Sequence, residues 1–252
     1  LLETSSVYRD CNGWYHIVVA IDTTQSTASD RIKLYVNGTQ ITDFSSSNYP
    51  SQNLDLKGWN NSSNHIWGNH HTGSEYFDGS MSHCHFIDGT AYDASAFGST
   101  DATTGEWKIN TNPSVTYGTN GFFILKDGNS VTDQSGNSNN FTVGGGTLTN
   151  TEDNPSNVFA TKNPLVTYGT NQNALSEGNN TTTGIAYHRP SPPTLAASKG
   201  KWYFEAKALS GTAAKWWIGL CDADYDTKNQ GSVGSTSNYI WGYDATTNAV
   251  NQ

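Results

Sequence analysis

Apolar and polar positions follow a period of two along much of the chain, and the first long stretch of this kind runs from Gly13 to Phe44. Trp14-Tyr15-His16-Ile17-Val18-Val19-Ala20-Ile21-Asp22 is rich in β-branched and aromatic residues, and Arg31-Ile32-Lys33-Leu34-Tyr35-Val36 alternates, so both read as strands. Asn37-Gly38 follows at once. These two residues tolerate the positive φ values of a type I′ turn, which returns Thr39 to Phe44 antiparallel to the strand before it. Ser45 to Ser51 reads as a loop, Asn64 to Gly68 as a short strand, His70 to Ser74 as a turn, and Tyr76 to Ile87 as a long strand. Within the last, Met81, Cys84 and Phe86 change phase, which predicts a bulge near Ser82-His83.

Residues 98 to 157 change character. Gly, Asn, Thr and Ser dominate, and the apolar runs shrink to Val115-Thr116-Tyr117, Phe122-Phe123-Ile124-Leu125 and Phe141-Thr142-Val143. This is read as a connector with short strands, packed along a sandwich or a neighbouring chain because structureless loops of this length are uncommon. Asn112 to Asn120 recurs as Asn163 to Asn171 with eight identities in nine, and the likeness stops there. It is therefore a reused strand-and-turn element, not a solenoid or propeller period. From Gly200 the pattern sharpens: Lys201 to Lys207, Trp216 to Leu220 and Tyr239 to Tyr243 read as strands.

Composition supports an all-β chain. Of 252 residues, 27 are Asn, 31 Thr and 27 Ser beside 25 Gly, with 6 Glu and a single Met, so strand and turn formers outnumber helix formers. The 22 acidic against 13 basic residues give a net charge of -9, which argues against nucleic acid or an anionic membrane as partner. No window approaches the roughly 18 apolar residues of a membrane span. Cys11, Cys84 and Cys221 are odd in number and widely spaced, which indicates neither a disulfide framework nor a zinc ribbon.

Four phrases in order carry a resemblance: Gly13-Trp14-Tyr15-His16-Ile17-Val18-Val19, Leu34-Tyr35-Val36-Asn37-Gly38, Ile66-Trp67-Gly68-Asn69, and Tyr76-Phe77-Asp78-Gly79-Ser80-Met81. Residues 1 to 95 resemble the laminin-G-like, concanavalin-A-like lectin sandwich, which implies a two-sheet jelly roll with further strands before Leu1. Gly200-Lys201-Trp202-Tyr203-Phe204-Glu205, then Trp217-Ile218-Gly219-Leu220, then Tyr239-Ile240-Trp241-Gly242-Tyr243 resemble the SPRY domain, a protein-recognition sandwich whose remaining strands would follow Gln252. The two together, with the connector around Phe97 to Trp107, resemble structural and fibre proteins of marine tailed bacteriophages.

Candidate chemistry follows residue by residue. Trp59 and Trp67 stand among Asn60, Asn61, Asn64 and Asn69, a stacking plane beside amide hydrogen bonders that suits glycan recognition. Trp67 also fits core packing, as do Trp14, Trp202, Trp217 and Trp241. His65, His70, His71, His83 and His85 crowd one region, and His83 and His85 share a strand face as possible metal ligands, without a further ligand at fixed spacing. Asp222, Asp224 and Asp226 alternate like the start of a calcium loop, yet Thr227 and Val233 stand where an EF-hand needs Gly and Glu. Possible calcium is thus the one cofactor considered. No alternating Glu-x-Asp-x-Glu strand, Gly-x-Ser-x-Gly elbow, His-Glu-x-x-His helix or P-loop occurs, and Gly144-Gly145-Gly146 is a flexible turn.

The sequence therefore predicts two antiparallel β-sandwiches, the lectin-like one at 1–97 and the SPRY-like one at 158–252, joined by the connector at 98–157. The expected function is non-enzymatic. A phage fibre or surface appendage would sit on the virion surface, bind other virion proteins, and adhere to host-surface glycan or protein as a homo-oligomer such as a trimer. Neither nucleic acid nor membrane insertion is expected. A capsid decoration or cement protein is the second reading, and a glycan hydrolase the third.

Overall fold

The computed structural model describes residues 1–10, 13–56, 64–70, 75–126, 128, 130–165, 173–183, 191–197, 199–207 and 209, together with the backbone of 217–221, 240–244 and 249–251. Every sheet is antiparallel, and the helical elements among these residues are two single 3-10 turns, Ala28–Asp30 and Ala94–Ala96. The chain divides into two units, Leu1–Val158 and Phe159–Gln252.

In the first unit, β2 (Ile17–Ile21), β3 (Ile32–Val36) and β4 (Thr39–Ile41) form a three-stranded sheet. Asn37 at φ 48° and Gly38 at φ 79° make the left-handed turn that the dipeptide predicts. The register pairs Ile17 with Val36, Val19 with Leu34, Ile21 with Ile32 and Leu34 with Ile41. Paired residues share a face, so one face of this sheet is aliphatic apart from Thr39, which pairs with Val36. Strand β1 (Leu2–Thr4) pairs with β5 (Phe44–Ser47), where the sequence predicts a loop from Ser45. Three serines carry no strong strand preference. The long-range partner decides: Ser45 Oγ donates to the Glu3 carbonyl at 3.2 Å and the Asn48 amide to the Leu1 carbonyl at 2.7 Å.

The expected long strand at 76–87 shrinks to β6 (Cys84–Phe86), because Glu75 and His83 both take left-handed φ values that end a ladder. The second of these falls at the expected irregularity. Residues 64–68 form no strand either. The strands of 98–157 complete the unit: β7 (Gly98–Thr100) pairs with β8 (Trp107–Ile109), and β9 (Phe122–Ile124) pairs with β6. Phe122 and Ile124 lie with Cys84 on one face of the β6–β9 ladder, where Phe86, Leu125 and Phe141 pack against them. Val115 to Tyr117 and Phe141 to Val143 are not strands, although Phe141 joins this core. Burial pushes the Cys84 thiol up to about 11, so it stays protonated.

The loop after β9 is tied down by one carboxylate. Asp133 Oδ1 accepts from the Phe123 and Ser135 amides at 2.9 and 2.8 Å, and Oδ2 accepts from Ser135 Oγ and the Asn139 amide at 2.8 and 2.9 Å. Burial pushes this carboxyl up, but the donors together outweigh it and hold it below the usual range. Asn137 and Asn139 side chains in turn donate to the Gly121 carbonyl, each at 2.9 Å.

In the second unit, β10 (Ala174–Ser176) and β11 (Thr181–Thr183) form a hairpin that sequence reading missed, turned through Glu177, Gly178 and Asn179 at positive φ. Strands β12 (Trp217–Cys221), β13 (Ile240–Asp244) and β14 (Ala249–Asn251) form a separate antiparallel sheet, the first two near their expected places. The strand expected at 201–207 does not form, and Trp202, read as core, is 71% exposed with its indole N–H on the Lys199 carbonyl at 2.9 Å.

Removing the Asp133 carboxylate strands the Phe123 amide on a buried strand. We expect Asp133→Ala to lower stability by about 2 kcal/mol, measured by urea unfolding, as for loss of a half-buried carboxylate that accepts four hydrogen bonds. A change below about 0.5 kcal/mol would mean that the loop is not pinned in this way.

Candidate functional site

The turn between β3 and β4 and the hairpin of β7 and β8 build one groove. Asn37 exchanges hydrogen bonds with His16: its amide donates to the His16 carbonyl and its Oδ1 accepts from the His16 amide, both at 2.8 Å. Trp107 lies against this turn. Its Nε1 donates to His16 Nδ1 at 3.0 Å, with the two rings 17° from coplanar. A Cβ on Gly38 would fall within the indole, and one on Gly98 would come 2.7 Å from Cζ2. Glycine at both positions lets the ring seat. Trp14 is held from elsewhere, its Nε1 donating to Oδ2 of the buried Asp153 at 2.9 Å. The bond to Trp107 needs His16 Nδ1 unprotonated, and burial lowers the His16 pKa in keeping with that.

The β7–β8 hairpin presents the remaining wall. Asp101 Oδ1 accepts from the Thr103 and Thr104 amides at 2.8 and 3.0 Å, while Oδ2 meets Lys108 Nζ at 2.7 Å. The Lys108 ammonium and these amides hold the Asp101 carboxyl well below its ordinary range, and Asp101 raises Lys108. The Asp101 amide donates to the Glu106 carbonyl at 2.7 Å, which fixes Glu106 beside Trp107. Trp14, Asn37, Thr39, Thr100, Glu106 and Trp107, with Gly105, line a polar groove of about 390 Å³. That volume is in the range of small-ligand sites.

Trp59, Asn60, Asn61, Asp222, Asp224 and Asp226 lie outside the described residues. Asn64 is exposed, and no described donor reaches the buried Oδ1 of Asn69. Neither lines the groove. Trp67 is 42% exposed and sets its edge against Phe122 at 5.8 Å. His85 does not project into solvent as the strand pattern implied, because the second face of the β6–β9 ladder is also covered. Its ring stacks 3.9 Å from Phe123, packs near Phe97, and shares a 2.9 Å hydrogen bond with Tyr117 Oη. His83 pairs its Nδ1 with Ser82 Oγ at 2.6 Å. Among the described residues no group of three His, Cys, Asp or Glu side chains could hold a metal. Sequence reading missed the groove because its parts are far apart along the chain. The available signal was the turn-forming Asn37-Gly38 with no bulky neighbour, which an aromatic ring can cover.

A laminin G family model described as the concanavalin A-like lectin/glucanases superfamily matches residues 2–95. No curated protein and no solved structure matches the chain. With the antiparallel sheets, the family match supports a carbohydrate- or protein-binding β-sandwich in this part of the chain. The match contains Trp14, Asn37 and Thr39, whereas Thr100, Glu106 and Trp107 come from beyond it.

Burial, then the nearby His83 and His16, lowers the His85 pKa to about 3, against about 6.5 for a free histidine. Between those values the unfolded chain binds the extra proton, so stability is full above about pH 6.5 and falls as pH falls, by at most about 1.4 kcal/mol per unit. His16, shifted the same way, adds to the effect. Urea unfolding at pH 7.5 and pH 5 should show this loss, and His85→Gln should reduce it; an unchanged loss in the variant would contradict the assignment.

Proposed function

We propose that the first unit is a non-enzymatic, carbohydrate-binding β-sandwich that takes a glycan in the Trp14–Trp107 groove. The observation that carries this reading is the groove's lining. An amide, two threonine hydroxyls and a carboxylate line it between the two tryptophans, and glycans offer many hydroxyls to such a polar surface. Glu106 is the one carboxylate among the described lining residues, whereas glycoside hydrolysis uses a pair, and this supports binding over cleavage.

The wider setting is a virion appendage of a tailed phage. In it a second, SPRY-like sandwich at 158–252 accompanies the lectin-like one, and the protein sits at the virion surface among other virion proteins. Weak contacts to host-surface glycan add by avidity in a homo-oligomer such as a trimer. The net charge of -9 supports a partner other than nucleic acid or an anionic membrane, and the reading requires no cofactor.

A glycan array with the full chain should yield ligands. Against one of these, the double variant Thr39→Ala with Thr100→Ala should bind about tenfold more weakly, as for one or two lost hydrogen bonds, while Asn64→Ala should bind normally. No glycan bound by the unaltered chain, or loss on Asn64→Ala but not on the threonine pair, would overturn the proposal.

A further inference from the structure

We infer that the ligand of this groove bears a protonated amine, as a 2-amino-2-deoxy sugar does, in preference to its N-acetylated form; this rests on the glycan reading above. The argument is an inventory of what each lining group has left to offer. Both indole N–H donors are turned to the protein, Trp14 to Asp153 at 2.9 Å and Trp107 to His16 at 3.0 Å. The Asn37 Oδ1 is occupied by the His16 amide at 2.8 Å. The nearest cation, Lys108, is engaged by Asp101 at 2.7 Å and raised mainly by it, with a smaller contribution from Glu106.

Glu106 is the exception. Its carbonyl accepts from Asp101 at 2.7 Å and its amide donates to Thr104 Oγ1 at 3.3 Å, so the backbone is held, while among the described residues no donor meets its carboxylate. A carboxylate on a held backbone therefore lies in the groove wall, with no cation among the groove's described lining residues. Such a carboxylate favours an ammonium group by charge. An acidic sugar would meet the same carboxylate as repulsion. The net charge of -9 adds attraction at longer range for the same kind of ligand.

The test compares glucosamine oligosaccharides with N-acetylglucosamine oligosaccharides of equal length, by isothermal titration at low ionic strength and neutral pH. The full chain should bind the amine form about threefold more tightly, as for one partly exposed charge pair. Glu106→Gln should abolish the preference. Glu152→Gln removes the same charge outside the groove lining and should leave the preference intact. A preference that survives Glu106→Gln, or falls equally with Glu152→Gln, would show bulk charge at work and overturn the inference. Equal or tighter binding of the N-acetyl form would overturn it while leaving the glycan reading standing. If no glycan of any class binds the unaltered chain, the glycan reading itself falls, and the amine preference with it.

Discussion

Trp107 lies against the Asn37–Gly38 turn, and the first unit is organised around that contact. The ring can approach because Gly38 has no side chain and adopts a φ of 79°, a value that L side chains rarely take. Its N–H reaches His16, whose backbone is already locked to Asn37. One indole thereby joins the β3–β4 turn to the β7–β8 hairpin, across 91 residues of sequence. The Trp14–Asp153 bond makes a second tie of the same kind across 139 residues. The cost of closing such long loops is met by contacts that form together, which makes the segment after residue 97 part of the fold it follows.

The β6–β9 ladder serves the same end from the core. Its three residue pairs are covered on both faces. Cys84, Phe86, Phe122 and Ile124 pack on one, and His85 and Phe123 stack with Tyr117 on the other, with Phe97 tilted against His85. A histidine in that setting is a neutral packing group, and its hydrogen bond to Tyr117 satisfies a nitrogen that water cannot easily reach. The Tyr117 hydroxyl is correspondingly raised to about 12 by burial and by the nearby Asp133. His85 helps to bury this strand.

Local pattern was a good guide where short-range chemistry decides. The β2–β3–β4 sheet, its Asn-Gly turn and the irregularity at His83 are all legible from alternation and turn residues, and so is the all-β character. It failed where distant partners decide. Ser45 to Ser47 form a strand only because β1 lies alongside, and Tyr76 to Ser82 do not form one despite their aromatic content. Trp202 reads as core by residue type yet has its indole in solvent, while Trp14, also read as core, contributes an edge to the groove. The groove is the clearest case. Its six side chains are drawn from three separated stretches, and their meeting is a property of packing.

The most direct test of this account is native-state hydrogen exchange under mild denaturant, read at the amides of Asn37 and Phe123. The Asn37 amide is bonded to His16 within the matched domain, and the Phe123 amide to Asp133 beyond it. If residues 1–158 form one cooperative unit, both amides open with the same free energy and the same dependence on denaturant. A Phe123 amide that exchanges through a separate, lower-energy opening while Asn37 stays protected would contradict it.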